Sequence, residues 1–96
     1  MNRYTVVWDP DLQVDFIRTW TAADSALRSA LTRASDWVDQ NLALDPERLG
    51  RPSPVDPTHR SLLIPKTGDY SIVVHYQILA EDRQVEVLSF QHSSKE

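Results

Sequence analysis

Apolar and polar residues alternate with a period of two near both ends of the chain, and recur with a helical period between those ends. Residues 4–8 alternate in this way, which predicts a first β-strand. Two longer alternating segments, 70–79 and 84–92, are separated by the charged residues 81–83. Such a pair of segments around a polar turn is typical of a β-hairpin.

Two helices are predicted between the first strand and the hairpin. Asp9 and Pro10 favour a helix start, because an Asp side chain accepts free amide hydrogens and Pro suits the first helical position. Asp24 is a second capping candidate after a short break. The positions expected to face inward are Leu12, Phe16, Ile17 and Trp20 in the first helix and Leu27, Leu31, Ala34, Val38 and Leu42 in the second. We expect Trp8, Phe16, Trp20 and Trp37 in or beside the core, with Trp37 the one that can be exposed.

The segment 43–58 breaks the periodic pattern. It holds four of the six prolines together with Gly50, and this composition predicts an irregular, extended loop. A short strand over 59–64 follows and leads through a turn at 66–69 into the hairpin. The order β-α-α-β-β-β predicts one α+β domain over residues 1–96, with two antiparallel helices on one face of a mainly antiparallel four-stranded sheet and a short tail at 93–96.

The hairpin register predicts which residues share each face of the sheet. Pairing around Glu81 and Asp82 places Ile72, Val74, Tyr76 and Ile78 with Val85 and Val87, on the face towards the helices. The other side, which we name the open face, then carries Val73, His75, Gln77 and Leu79 beside Glu86, Leu88 and Phe90. A half-apolar surface with no helix over it predicts a partner-binding site. In the alternative, the Pro-rich loop or the C-terminal tail folds over this surface.

Composition excludes several kinds of chemistry. The 96 residues carry a formal net charge of −4 and contain no Cys, so disulfides, thiolate zinc sites and cysteine nucleophiles are unavailable. Nucleic-acid binding relies on Lys and Arg side chains that neutralise phosphates, so an acidic domain is poorly suited to it. No apolar run reaches the roughly 20 residues that span a bilayer, and the N-terminus has no signal-peptide pattern, so we expect a cytoplasmic protein with no membrane partner.

Three histidines are candidates for acid-base or metal chemistry. In the predicted register His92 lies opposite Ser71, four residues along the strand from His75, or about 13 Å at roughly 3.3 Å per residue. This separation is too long for two ligands of one ion. His59 can approach either of the other two, but the spacing does not require it. We therefore expect neither a metal nor another cofactor, while contact of His92 with a partner or substrate stays open.

The order of elements and both ends of the chain resemble the RelE/ParE superfamily of type II toxin-antitoxin toxins, a group that includes plasmid-stabilisation proteins. The matching segments are Tyr-Thr-Val-Val-Trp-Asp-Pro at 4–10 and Val-Leu-Ser-Phe-Gln-His-Ser-Ser-Lys at 87–95. In that superfamily the last strand often runs into a His, a basic residue and an acid, which His92, Lys95 and Glu96 match. The resemblance covers nearly the whole domain.

The resemblance implies one of two modes of action. RelE-like members are ribosome-dependent messenger-RNA endonucleases, ParE-like members inhibit DNA gyrase, and in both an antitoxin covers the functional surface. The Arg expected in the penultimate strand of RelE-like nucleases is replaced by Val73 or Ser71, depending on the alignment, and no Tyr follows the last strand. We therefore expect a toxin-like protein that acts by protein-protein contact, of the gyrase-inhibiting branch or an inactive relative, and whether it is an enzyme stays open.

Two alternatives stay open. The chain can be a divergent ribosome-dependent RNase with catalytic candidates Arg60, Lys66, His75 and His92. The resemblance implies phosphate-contacting side chains in the region that holds Arg51, Arg60 and Lys66. It can also be a non-toxic homodimeric binding module that associates through the open face. For binding of an antitoxin, or of a target such as gyrase or the ribosome, the predicted contact residues are Val73, His75, Leu88, Phe90 and His92.

Overall fold

The computed structural model describes residues 3–95, so Glu96 of the predicted C-terminal motif lies outside the described residues. The predicted order of elements is confirmed, with one addition. The elements are β1 (Thr5–Trp8), α1 (Pro10–Ala22), α2 (Ser25–Asn41), β2 (Arg51–Pro52), β3 (His59–Leu63), β4 (Tyr70–Leu79), a 3-10 turn (Ala80–Asp82) and β5 (Gln84–Ser94).

The strands form one mixed sheet in the order β1-β5-β4-β3-β2. β1 runs parallel to β5, and the other neighbours are antiparallel, as predicted for an α+β domain. The sheet has five strands rather than four, because Arg51 and Pro52 of the Pro-rich loop pair with β3. The predicted tail is also shorter than expected, since Ser93 and Ser94 still pair with β4.

Both helices begin at the predicted capping residues. The Asp9 carboxylate accepts a hydrogen bond from the Leu12 amide at 3.2 Å, and Asp24 accepts one from the Leu27 amide at 2.9 Å. These bonds satisfy amides that have no partner inside the helix. Within residues 3–95, neither helix is long and apolar enough to cross a membrane.

The core lies between the two helices and one face of the sheet. The hairpin residues predicted to face the helices are all buried, which confirms that side of the prediction. Two predicted inward positions of α1 are wrong, because Ile17 is 64% exposed and Trp20 is 38% exposed. The Trp20 indole instead donates to Thr32 Oγ1 on α2 at 3.2 Å, so it joins the helices rather than the sheet. The buried core consists of Leu12, Ala30, Leu31, Ala34, Val38, Leu42, Ile64, Ile72, Val74, Tyr76, Ile78, Val85 and Val87, with Trp37 packed against it.

A β-bulge interrupts the long hairpin. Val87 pairs with Tyr76 and Ser89 pairs with His75, so Leu88 is an extra residue on β5. One extra residue reverses the facing of every later residue on the strand. The predicted position of Phe90 on the open face is therefore wrong. Phe90 faces the helices, where its ring centroid lies 5.5 Å from Trp8 and 5.4 Å from Phe16.

The bulge also changes the position of His92. It pairs with Ile72 instead of the predicted Ser71, and its ring lies 6.4 Å from that of Tyr70. His92 lines a small cavity beside α1, on the helix side of the sheet. His75 and His92 consequently lie on opposite faces of the sheet. The bulge, which the predicted register did not include, separates them.

Candidate functional site

The open face is the side of the sheet away from α1 and α2. Val7, Leu63 and Val73 are exposed there by 38%, 63% and 39%. Leu63 and Val73 are paired neighbours on β3 and β4, whereas Val7 lies on the edge strand β1, with the polar residues Glu86 and Gln77 between. A surface of this kind is suited to contact with another macromolecule.

A cleft of about 590 Å³ lies at one side of the open face. Its outer wall is β2 with residues 53–56 of the Pro-rich loop, and its inner wall is formed by His59, Ser61 and His75. The loop is held against β3 by two backbone bonds, from the Ser53 amide to the His59 carbonyl at 2.8 Å and from the His59 amide to the Asp56 carbonyl at 3.0 Å. Pro52 and Pro54 thus border the open face without covering this cleft.

Two histidines meet on the inner wall. His59 of β3 pairs with Gln77, and His75 of β4 pairs with Ser61, so the two histidines are diagonal neighbours on the same face. His59 Nδ1 lies 3.3 Å from His75 Nε2. The ring planes are inclined by 59° with centroids 5.3 Å apart, so two nitrogen atoms converge without the rings stacking.

Asp56 adds a carboxylate to this pair. Its Oδ2 atom lies 3.7 Å from His59 Nε2, the ring nitrogen that faces away from His75. Its Oδ1 atom accepts hydrogen bonds from the Thr58 hydroxyl at 2.7 Å and the Thr58 amide at 3.0 Å. These bonds, the hydroxyl first, lower the pKa of Asp56, with a smaller effect from His59. Asp56 is therefore a negative charge beside His59 at neutral pH.

The four predicted catalytic candidates do not come together. Arg60 pairs with Tyr76 on the helix side, where its guanidinium donates to the carbonyl oxygens of Leu49 at 2.8 Å and Gly50 at 3.1 Å. Lys66 is exposed in the turn before β4, and His92 lies beside α1. Of the four, His75 lines the cleft, where the accompanying cation is Arg51.

The predicted partner-binding residues are also divided between two faces. Val73 and His75 lie on the open face, and Leu88 is the residue inserted at the bulge. Phe90 and His92 lie on the helix side. Their predicted contact with a partner stays a prediction, but a single surface cannot present all five residues.

The sequence left open which histidine His59 approaches, and it gave no role to Asp56. The pairing of β3 with β4 sets Ser61 opposite His75 and so places His59 next to His75, an arrangement that depends on strand register rather than on local sequence. The resulting group can exchange protons or bind a cation. Within residues 3–95, no group of three or more His, Cys, Asp or Glu side chains is placed to hold a metal ion.

Comparison with known proteins gives matches only among solved structures. No protein-family model matches the sequence, and no curated protein matches it. A chain of the Mycobacterium tuberculosis toxin-antitoxin complex RelBE2 matches with a TM-score of 0.69 and 21% identity, over 97% of this chain and 94% of that one. A mutant of the Escherichia coli toxin RelE in the free state matches with a TM-score of 0.51 and 16% identity, over 92% of this chain and 81% of that one. At these identities the likeness establishes the fold.

Proposed function

Because the chain has the fold of RelE/ParE-superfamily toxins, we propose that it is the toxin component of a type II toxin-antitoxin pair. It acts by protein-protein contact through the open face, and an antitoxin protein neutralises it. The observation that carries this proposal is the near-complete match with a chain of the RelBE2 toxin-antitoxin complex, which leaves little of either chain outside the shared fold.

Two features favour protein contact as the mode of action. The open face presents exposed apolar side chains, including Leu63 and Val73, that suit a protein interface. The net charge of −4 gives no general attraction for nucleic acid. RelE-like nucleases are expected to carry an Arg where this chain has Val73 or Ser71. The absence of this Arg favours the gyrase-inhibiting mode of action over RNA cleavage.

Regulated expression in a bacterial host tests the proposal. Growth arrest with DNA damage and intact messenger RNA supports a gyrase-directed toxin, and co-expression of a neighbouring antitoxin gene restores growth. Val73→Asp charges the open face and should abolish the arrest. The matched control is Val14→Asp on α1, at a position that is 53% exposed, which should still arrest growth.

Two results would count against this proposal. A well-expressed, folded chain that causes no arrest is not a toxin in that host. An arrest that survives Val73→Asp but not Val14→Asp places the active surface on α1 instead of the open face.

A second candidate function is cleavage of messenger RNA on the ribosome. The observation that favours it is the group of His59, His75, Asp56 and Arg51 in one cleft. One imidazole can take the proton of a ribose 2′-hydroxyl while another donates a proton to the leaving oxygen. An Arg guanidinium can stabilise the phosphate charge that develops.

Histidine variants separate the two candidates. For an RNase, His75→Ala should remove messenger cleavage and growth arrest together. His92→Ala, on the other face of the sheet, should leave both unchanged. Intact messenger RNA during arrest by the unmodified chain rejects this second candidate and leaves the first.

A further inference from the structure

We propose that His59 and His75 form a binding site for a divalent transition-metal ion of the Zn²⁺ type. The ligand atoms are His59 Nδ1 and His75 Nε2, which converge at the inner wall of the cleft. This site goes beyond the proposed function and does not depend on it, since metal binding is a property of the isolated chain.

The distance between the two nitrogens supports a shared ion. A tetrahedral zinc ion with Zn–N bonds of about 2.0–2.1 Å holds two ligand nitrogens about 3.3–3.4 Å apart. The observed separation of His59 Nδ1 and His75 Nε2 is 3.3 Å. Hydrogen bonds from N–H groups are usually shorter, with a mode of about 2.9–3.0 Å to oxygen acceptors. The pair therefore has the spacing of two metal ligands, and without an ion the same two nitrogens are within hydrogen-bond distance of each other.

The carboxylate of Asp56 lies where an outer-shell partner of a metal-bound imidazole belongs. It faces His59 Nε2 at 3.7 Å, a separation that is electrostatic contact rather than a direct hydrogen bond. A negative charge at that position favours the proton on Nε2 and leaves the Nδ1 lone pair for the metal. The two bonds from Thr58 hold the carboxylate in place.

The backbone keeps the two ligands at this separation, and the cleft leaves room for the rest of the coordination sphere. β3 and β4 are adjacent paired strands, so the distance between the two ligands does not depend on a mobile loop. Water completes the remaining positions on the cleft side. Imidazole ligands select zinc, nickel or copper over magnesium and calcium. Arg51 lines the same cleft and opposes a cation, and Asp56 offsets that charge.

Calorimetric titration of Zn²⁺ into the untagged full chain tests the site. We expect one bound ion per chain and no binding of Mg²⁺. His59→Ala and His75→Ala should each reduce Zn²⁺ binding to background. Asp56→Asn should weaken it by less than the roughly 10–100-fold effect of losing a hydrogen-bonded outer-shell partner, because Asp56 acts on His59 by charge alone. The matched control is His92→Ala, an exposed histidine on the opposite face, which should bind as the unmodified chain does.

Three outcomes overturn the proposal. They are a flat titration of the unmodified chain, binding that persists in the His59→Ala/His75→Ala double variant, and an equal loss of binding in His92→Ala. Circular dichroism of each variant separates loss of ligands from loss of fold, and His75→Gln replaces His75→Ala if the alanine variant does not fold. X-ray absorption of the zinc complex should show two imidazole ligands. Because no cells are used, failure here leaves the toxin proposal standing, and the reverse also holds.

Discussion

Tyr76 and Arg60 both donate hydrogen bonds to the carbonyl oxygen of Leu49. The two residues lie opposite each other on β4 and β3. The Tyr76 hydroxyl lies 2.6 Å from this oxygen and 2.8 Å from the carbonyl oxygen of Pro46, and donates its single hydrogen between them. The Arg60 Nε group donates to the Leu49 oxygen at 2.8 Å. The start of the Pro-rich loop is thereby fixed to the helix side of the sheet.

Removal of the Tyr76 hydroxyl should therefore destabilise the fold. Tyr76→Phe leaves loop carbonyls short of a donor at a fully buried site, and we expect a loss of about 1–3 kcal/mol in the free energy of unfolding. Urea unfolding measures the change. The control is Tyr70→Phe at a half-buried position, which should cost less; equal costs would show that the Tyr76 hydrogen bonds do not fix the loop.

The free energy of unfolding should fall at alkaline pH, in part because the Tyr76 phenol is deprotonated there. Burial raises the pKa of Tyr76 above its ordinary value of 10.0, and Arg60 opposes that rise. The folded state thus holds the phenol proton more tightly than the unfolded state. The resulting stabilisation is complete below pH 10.0 and is lost as the pH rises through the folded pKa.

Unfolding measured from about pH 9 to about pH 11 checks this pH dependence, with Tyr76→Phe as the comparison. The variant should lose stability less steeply over that interval than the unmodified chain. A residual slope is expected from Tyr4, because its hydrogen bond to Glu47 also raises the pKa of that phenol. Identical slopes for both proteins would contradict the assignment to Tyr76.

The two glycines should respond differently to the same substitution. Both have a positive φ, +70° at Gly50 and +66° at Gly68, so Ala costs roughly 1–2 kcal/mol of backbone strain at either. At Gly50 the added Cβ would also lie 2.7 Å from the Ser61 carbonyl oxygen, whereas at Gly68 it meets nothing within 4 Å. Gly50→Ala should therefore cost about 1–3 kcal/mol more than Gly68→Ala in thermal or urea unfolding. Equal effects would mean that the loop at Gly50 moves away from β3 without cost.

Phe90 should be important for stability because it packs among aromatic rings on the helix side. Phe90→Ala removes its contacts with Trp8 and Phe16, and we expect a loss of about 2–4 kcal/mol in the free energy of unfolding, because the ring is only partly buried. Val73→Ala on the open face should cost well under 1 kcal/mol, as surface substitutions usually do. A small effect of Phe90→Ala would indicate that β5 has no bulge and that Phe90 is exposed.

Local signals in the sequence were sufficient for most of the architecture. Asp9 and Asp24 mark the helix starts because a capping carboxylate acts on amides only a few residues away. The alternation of residues 70–79 identifies a strand and its buried side, because the pleat repeats every two residues. The resemblance to the RelE/ParE fold was inferred from the order of these elements together with the residues at both ends of the chain.

The sequence by itself determined the α+β class, both helices, the long hairpin and the side of the hairpin that is buried, because each depends on residues close together in the chain. Tertiary structure alone decided three further features: the bulge at Leu88, the pairing of Arg51 and Pro52 with β3, and the approach of His59 to His75. Each of these depends on how one strand aligns with another. A shift of one residue in that alignment exchanges the two faces of the sheet, and pairing between strands distant in the chain leaves no periodic signal in it.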